Sequence, residues 1–141
     1  MRSKLHARPA TIQDESALGA LAQCLRNGGC HFEANDLRDA FDAAMSHPAP
    51  SARLCAMYGD FAAATLADNV LALRLTEAAV RKSPEEPAYR INLARRALAN
   101  GQKELAREQV EALRRLNFGG RLDNDIASLN RSFPVAGPLR P

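Results

Sequence analysis

The chain has little from which to build a sheet. Among its 141 residues there are four valines, three isoleucines and no tryptophan, and aromatics make up only 5%. Strands draw on β-branched and aromatic side chains, so this scarcity argues against β structure. Long apolar runs are missing too: Asp60, Asp68 and Arg74 interrupt the most hydrophobic stretch well short of the ~18 residues needed to cross a bilayer. The opening Met1-Arg2-Ser3-Lys4-Leu5-His6-Ala7-Arg8-Pro9 has no apolar core of a secretory signal. A cytoplasmic address is therefore expected if Met1 is the native start, and a periplasmic one if the chain is a domain cut from a longer membrane protein.

Catalytic signatures are equally scarce. No phosphate-binding glycine loop, nucleophile-elbow serine, zinc-protease H-E-x-x-H or EF-hand loop can be read. Gly28-Gly29 and Gly119-Gly120 lack the preceding strand and following lysine that phosphate chemistry requires, and read as helix stops. His6, His31 and His47 are scattered, with no partner spacing that suggests acid-base work. We expect no catalytic residue, no cofactor and no metal. Of the three cysteines, Cys24 and Cys30 enclose a short glycine-rich loop able to close as a disulfide in an oxidising compartment, and Cys55 reads as a small buried hydrophobe. A zinc site of Cys24, Cys30, His31 and His47 is the lesser reading, since no second C-x2-C pair accompanies it.

What the chain does have is alanine and leucine, 27 and 18 residues, in helical periodicity. About seven helices are expected. The first spans about 13 to 26, with Leu18, Leu21, Ala22 and Leu25 on one face and Thr11 with Asp14 as its cap. A second, about 35 to 46, opens at Asn35 and ends at His47-Pro48. The third, about 51 to 66, aligns Leu54, Met57, Tyr58, Phe61 and Thr65; the fourth, about 69 to 82, aligns Leu71, Ala72, Leu75, Ala78 and Ala79. The fifth, about 87 to 100, sets Ile91, Ala94 and Leu98 on one stripe, and the sixth, about 102 to 116, buries Leu105, Ala106, Val110, Leu113 and Leu116. A seventh, about 121 to 132, carries Leu122, Ile126 and Leu129.

The connectors recur: Pro48 and Pro84 are 36 residues apart, each with an alanine five positions upstream, at Ala43 and Ala79. In the later segment Leu93, Ala94, Gly101, Ala106 and Leu113 supply, in order, a large apolar, a small, a turn glycine, a small and a helix-packing residue. In this the chain resembles the tetratricopeptide-repeat proteins. The resemblance implies antiparallel helix-turn-helix pairs stacked as a short all-α solenoid. A degenerate pair would cover 11–48, repeats 51–84 and 87–120, and a capping helix 121–132. These make one domain over 11–133, between a flexible segment 1–10 and a disordered tail 134–141. The pattern's early aromatic is Arg90 here, beside Tyr89, and Phe118 stands where proline is usual. A second resemblance, carried by 73–80, 87–93 and 114–117, is to soluble C-terminal repeat domains of bacterial inner-membrane proteins of surface-glycan assembly; it implies an accessory domain facing the periplasm.

A repeat solenoid lines its concave wall with the first helix of each pair. On the fifth helix Tyr89, Asn92 and Arg96 follow i, i+3, i+7 spacing, with Arg95 beside them. A phenol, an amide and two guanidinium groups suit a peptide partner, acidic or ending in a free carboxylate. Ordinary solvated polar positions are the competing reading. Arg107, Arg114 and Arg115 are poorer candidates, because Glu104 and Glu111 stand close enough to pair with them. The net charge of +3 divides into −3 over 33–60 and +5 over 81–121. Nucleic-acid binding by that basic segment is the weaker alternative, as its glutamates dilute the field and only Tyr89 and Phe118 are at hand for stacking. The sequence thus points to a non-catalytic protein or peptide interaction module, with the glycan-assembly accessory domain as the alternative.

Overall fold

A computed structural model describes residues 12–46 and 48–133. Every regular element among them is helical: α1 (Ile12–Asn27), α2 (Ala34–Met45), α3 (Ala52–Ala64), α4 (Asn69–Lys82), α5 (Pro87–Ala99), α6 (Lys103–Arg115) and α7 (Asp123–Ser132), with a 3-10 turn at Phe118–Gly120. Among the described residues this is the expected all-α arrangement, with seven α-helices. The expected Thr11 cap, the segment 1–10, His47 and the tail 134–141 lie outside the described residues. The chain divides into two compact units between Lys82 and Ser83, within the proline-bearing connector after α4.

In the first unit α1 packs on α2 and α3, α2 on α3, and α3 on α4. Its core is aromatic. Phe41 stacks on Tyr58 with ring centroids 4.8 Å apart and on Phe61 at 5.2 Å, and Leu18, Leu37, Leu54 and Leu75 close around them. Rings of this kind bury the most apolar area per residue, so two helices suffice to make a dense layer. α3 and α4 approach closely because Gly59 faces α4: a Cβ there would lie 3.0 Å from Thr76 Oγ1. Thr76 satisfies its own buried hydroxyl by donating to the Ala72 carbonyl at 2.7 Å.

The start of α2 differs from the expected Asn35. Glu33 takes the cap position, and the Asp36 carboxylate, buried in the first turn, accepts from the Glu33 amide at 3.1 Å. An acid three residues into a helix satisfies an otherwise orphaned donor and complements the helix dipole, which outweighs the capping preference of asparagine. α3 is capped by Ser51, the Leu54 amide donating to its Oγ at 3.0 Å. The same hydroxyl donates to Glu15 on α1 at 2.8 Å. Arg53 approaches Glu15 at 3.8 Å and donates to Ser16 at 3.1 Å, so a small polar lock joins α1 to the head of α3. Cys24 in the last turn of α1 is disulfide-bonded to Cys30, with Cα atoms 5.9 Å apart. Gly28, at φ +83, turns the chain between them.

In the second unit α5 packs on α6, and α7 lies against both. The core is aliphatic: Leu93, Ala94, Ala97, Ala106, Val110, Leu113 and Leu129 are all nearly inaccessible. The buried face of α5 is a correction to the expected one. Leu93, Ala94 and Ala97 point inward, while Ile91 and Leu98 are half-buried. α6 and α7 both cover α5, and a helix covered from two sides buries a wider arc than a single 3-4 stripe. The last helix begins at Asp123, two residues later than expected, because residues 118–120 form the 3-10 turn.

The hairpins α3–α4 and α5–α6 share a plan. α5 starts 35 residues after α3, and α6 starts 34 after α4. Each connector contains one left-handed residue, Ala67 at φ +53 and Gly101 at φ +75. The Asp68 amide then donates to the Ala62 carbonyl at 2.9 Å, and the Gln102 amide to the Ala97 carbonyl at 2.8 Å. Such bonds satisfy carbonyls left over at a helix end.

Candidate functional site

The surface of the second unit carries the groups suited to recognition. Along α6, Arg107, Val110, Glu111 and Arg114 follow i, i+3, i+4, i+7 spacing and form one wall of a groove of about 300 Å³; Asn130 of α7 and Phe133 complete it. Val110 is buried and makes an apolar floor. The guanidinium of Arg107 sits over the Phe133 ring, 5.4 Å from its centroid, a cation–π contact that fixes its direction.

Both arginines have the acidic neighbours their sequence spacing implies. Arg107 meets Glu104 at 2.8 Å and Arg114 meets Glu111 at 3.7 Å. All four side chains are about half or more exposed, so these pairs contribute little to stability and exchange readily for another carboxylate. Pairing across one helical turn orders the guanidinium groups along the groove without burying them.

The four residues singled out on α5 do not form a freely solvated stripe. Arg95 is exposed, while Tyr89, Asn92 and Arg96 are half-buried, and Tyr89 and Arg96 already have interaction partners. Their shared face follows from helical spacing; the shift of the buried arc toward Leu93 and Ala97 is what withdraws them from solvent. Their neighbour Arg90 is a structural group. Its Nε donates to the Pro84 carbonyl at 2.8 Å and its Nη1 to Gln109 Oε1 at 2.9 Å, tying α5 to α6 and to the preceding connector. Partial burial, with Arg115 nearby, draws its pKa down from the usual guanidinium value.

In the first unit the two titratable groups with displaced pKa values, Cys55 and Tyr58, are structural. Burial pushes the free thiol of Cys55 up, opposed by Lys82 and Arg81, so it behaves as an inert core atom. Tyr58 donates its hydroxyl to Asp42, and burial together with that carboxylate raises its pKa far above the tyrosine range. His31 is exposed on the loop after Cys30. Among the described residues no group of three or more His, Cys, Asp or Glu side chains converges on a point, and with Cys24 and Cys30 joined to each other the zinc reading loses two ligands. No described helix is long and apolar enough to cross a membrane. Compared with known proteins, the chain matches no family model, no curated protein and no solved structure.

Proposed function

We propose that the chain is a non-catalytic interaction module of helical-repeat type that takes an acidic peptide in the groove between α6 and α7. One observation carries the reading: two oriented guanidinium groups and a carboxamide surround an apolar floor in a groove of about 300 Å³. Carboxylates of the peptide replace Glu104 and Glu111 as partners of Arg107 and Arg114, Asn130 bonds the peptide backbone, and an apolar side chain rests on Val110 and Phe133. The hairpins are read as tetratricopeptide-type repeats. Supporting this are helix starts 34 and 35 residues apart, a left-handed residue in each connector, and small residues at Gly59 and Ala94 on the first helices and Ala72 and Ala106 on the second.

The α5 surface of Tyr89, Asn92, Arg95 and Arg96 is the rival location on the same unit, and one titration separates the two. A labelled peptide of alternating glutamate and leucine is expected to lose affinity about tenfold or more on Arg107→Glu with Arg114→Glu. It should change little on Arg95→Glu with Arg96→Glu. The reverse ranking moves the site to α5, and no binding by the native chain ends the peptide reading.

A second reading is favoured by the disulfide between Cys24 and Cys30, since such bonds persist in oxidising compartments. In it the chain is a periplasmic accessory domain of a membrane-bound bacterial glycan-assembly protein. Thiol titration of the protein from its native host tests this: one reactive thiol after denaturation supports it, and three exclude the oxidised state on which it rests.

A further inference from the structure

Phe118 is 70% exposed, the most exposed large apolar side chain described. The turn around it is built to keep it there. Gly119 and Gly120 adopt φ of +69 and +77, a region that side-chain-bearing residues avoid. The side-chain Nδ2 of Asn117 donates to the Asp123 carboxylate at 2.7 Å, and its Oδ1 accepts from the Leu122 backbone amide at 2.7 Å, clamping the turn onto the start of α7. A ring fixed in this way loses little conformational freedom when it docks.

Beside the ring is a cavity of about 280 Å³ lined by Glu85, Pro87, Leu116, Phe118 and Arg121. Its walls are apolar, from Pro87 and Leu116, and its rim carries one acid and one base. Neither Glu85 nor Arg121 forms an ion pair with another described residue. A receptor for a strongly acidic or basic partner would carry one sign of charge; this rim carries both.

We propose that this face is a two-fold interface between copies of the chain. In an isologous contact the same patch meets itself, so it must be its own complement. A projecting ring beside a cavity with room for one, and an acid and a base on the same rim, meet that condition. Phe118 of each copy enters the other's cavity against Pro87 and Leu116, while Glu85 of each faces Arg121 of the other. The interface is separate from the α6–α7 groove and stands or falls independently of the peptide reading.

Sedimentation equilibrium of the full chain from micromolar to millimolar concentration tests it. A reversible monomer–dimer equilibrium is expected. Phe118→Asp should weaken dimerisation about tenfold or more, the range of an aromatic anchor at an interface. Because the ring is exposed, the melting temperature of that variant should match the native one at protein concentrations where both are monomeric. Glu85→Arg and Arg121→Glu should each weaken the dimer, and the two together should restore it by re-forming both pairs with opposite polarity. A native chain that stays monomeric throughout overturns the proposal, as does a dimer indifferent to Phe118→Asp or a double charge swap that restores nothing.

Discussion

The hairpins α3–α4 and α5–α6 set small residues at matching offsets, Gly59 with Ala94, Ala62 with Ala97 and Ala72 with Ala106, yet fill the space beside them differently. Where the first has Cys55 and Leu75, both buried, the second has Arg90 and Gln109, joined by a hydrogen bond of 2.9 Å. Tyr58 in the first gives way to Leu93 in the second, and Phe61 to Arg96. Close helix approach is the shared requirement and fixes the small residues; the filling is free to vary as long as polar groups are satisfied. The first unit uses that freedom for a dense aromatic core, and the second for a polar tie inside and an arginine-bearing groove outside.

Removing a core ring should break the comparison most severely. Phe41, fully buried between Tyr58 and Phe61, should cost about 4 kcal/mol as Phe41→Ala, and Leu113→Ala in the second unit about 3 kcal/mol. Native-state hydrogen exchange checks where each loss falls. The first should loosen amides of 12–82 and the second those of 83–133; identical loosening by both variants means that the chain unfolds as one cooperative body.

The polar tie comes next. Gln109→Leu removes the partner of Arg90 Nη1 and should destabilise by about 1 kcal/mol, and Arg90→Leu, which strands the buried carboxamide, by about 2 kcal/mol. The double variant, which gives the second hairpin an apolar pair like Cys55 and Leu75, should be close to native in a denaturant melt. Additive losses in the double variant would show that the hydrogen bond is not what couples the two positions.

A smaller effect sits in the connectors. Ala67→Gly should stabilise by about 1 kcal/mol, because alanine pays a steric cost at φ +53 that glycine does not. Gly101→Ala should destabilise by about the same amount. Opposite signs in thermal melts are the expected outcome, and like signs would show that the two connectors are not equivalent. Least of all, Glu104→Gln should change stability by under ~0.5 kcal/mol, since its bridge to Arg107 is solvent-exposed.

Much of this fold was legible in the sequence because helix stops are local. Asn27-Gly28, Asp68 and Asn100-Gly101 end or cap helices by short-range chemistry, and the seven helices fall within two residues of their expected bounds. Three features were not legible. Glu15, Arg90 and Gln109 are polar residues at inward positions, which a pattern of apolar periodicity cannot place. The α5 face turned toward Leu93 and Ala97 because α7, distant in sequence, covers it. The α6–α7 groove likewise needs two elements to meet. The sequence signal for it was present in the spacing of Arg107, Val110 and Arg114, but Glu104 and Glu111 beside them suggested neutralised surface. The exposed Phe118 on a glycine turn could have been found from Asn117-Phe118-Gly119-Gly120, where an aromatic has no helical face to join.

The central claim is that recognition belongs to the second unit and scaffolding to the first. An amide-resolved NMR titration of the full chain with the alternating glutamate–leucine peptide tests it most directly. The account predicts shifts concentrated at Arg107, Val110, Glu111, Arg114, Asn130 and Phe133, diminishing as salt is raised, with residues 12–82 unmoved. Shifts centred on α3 and α4, or saturable binding that leaves the α6–α7 groove unmoved, would contradict it.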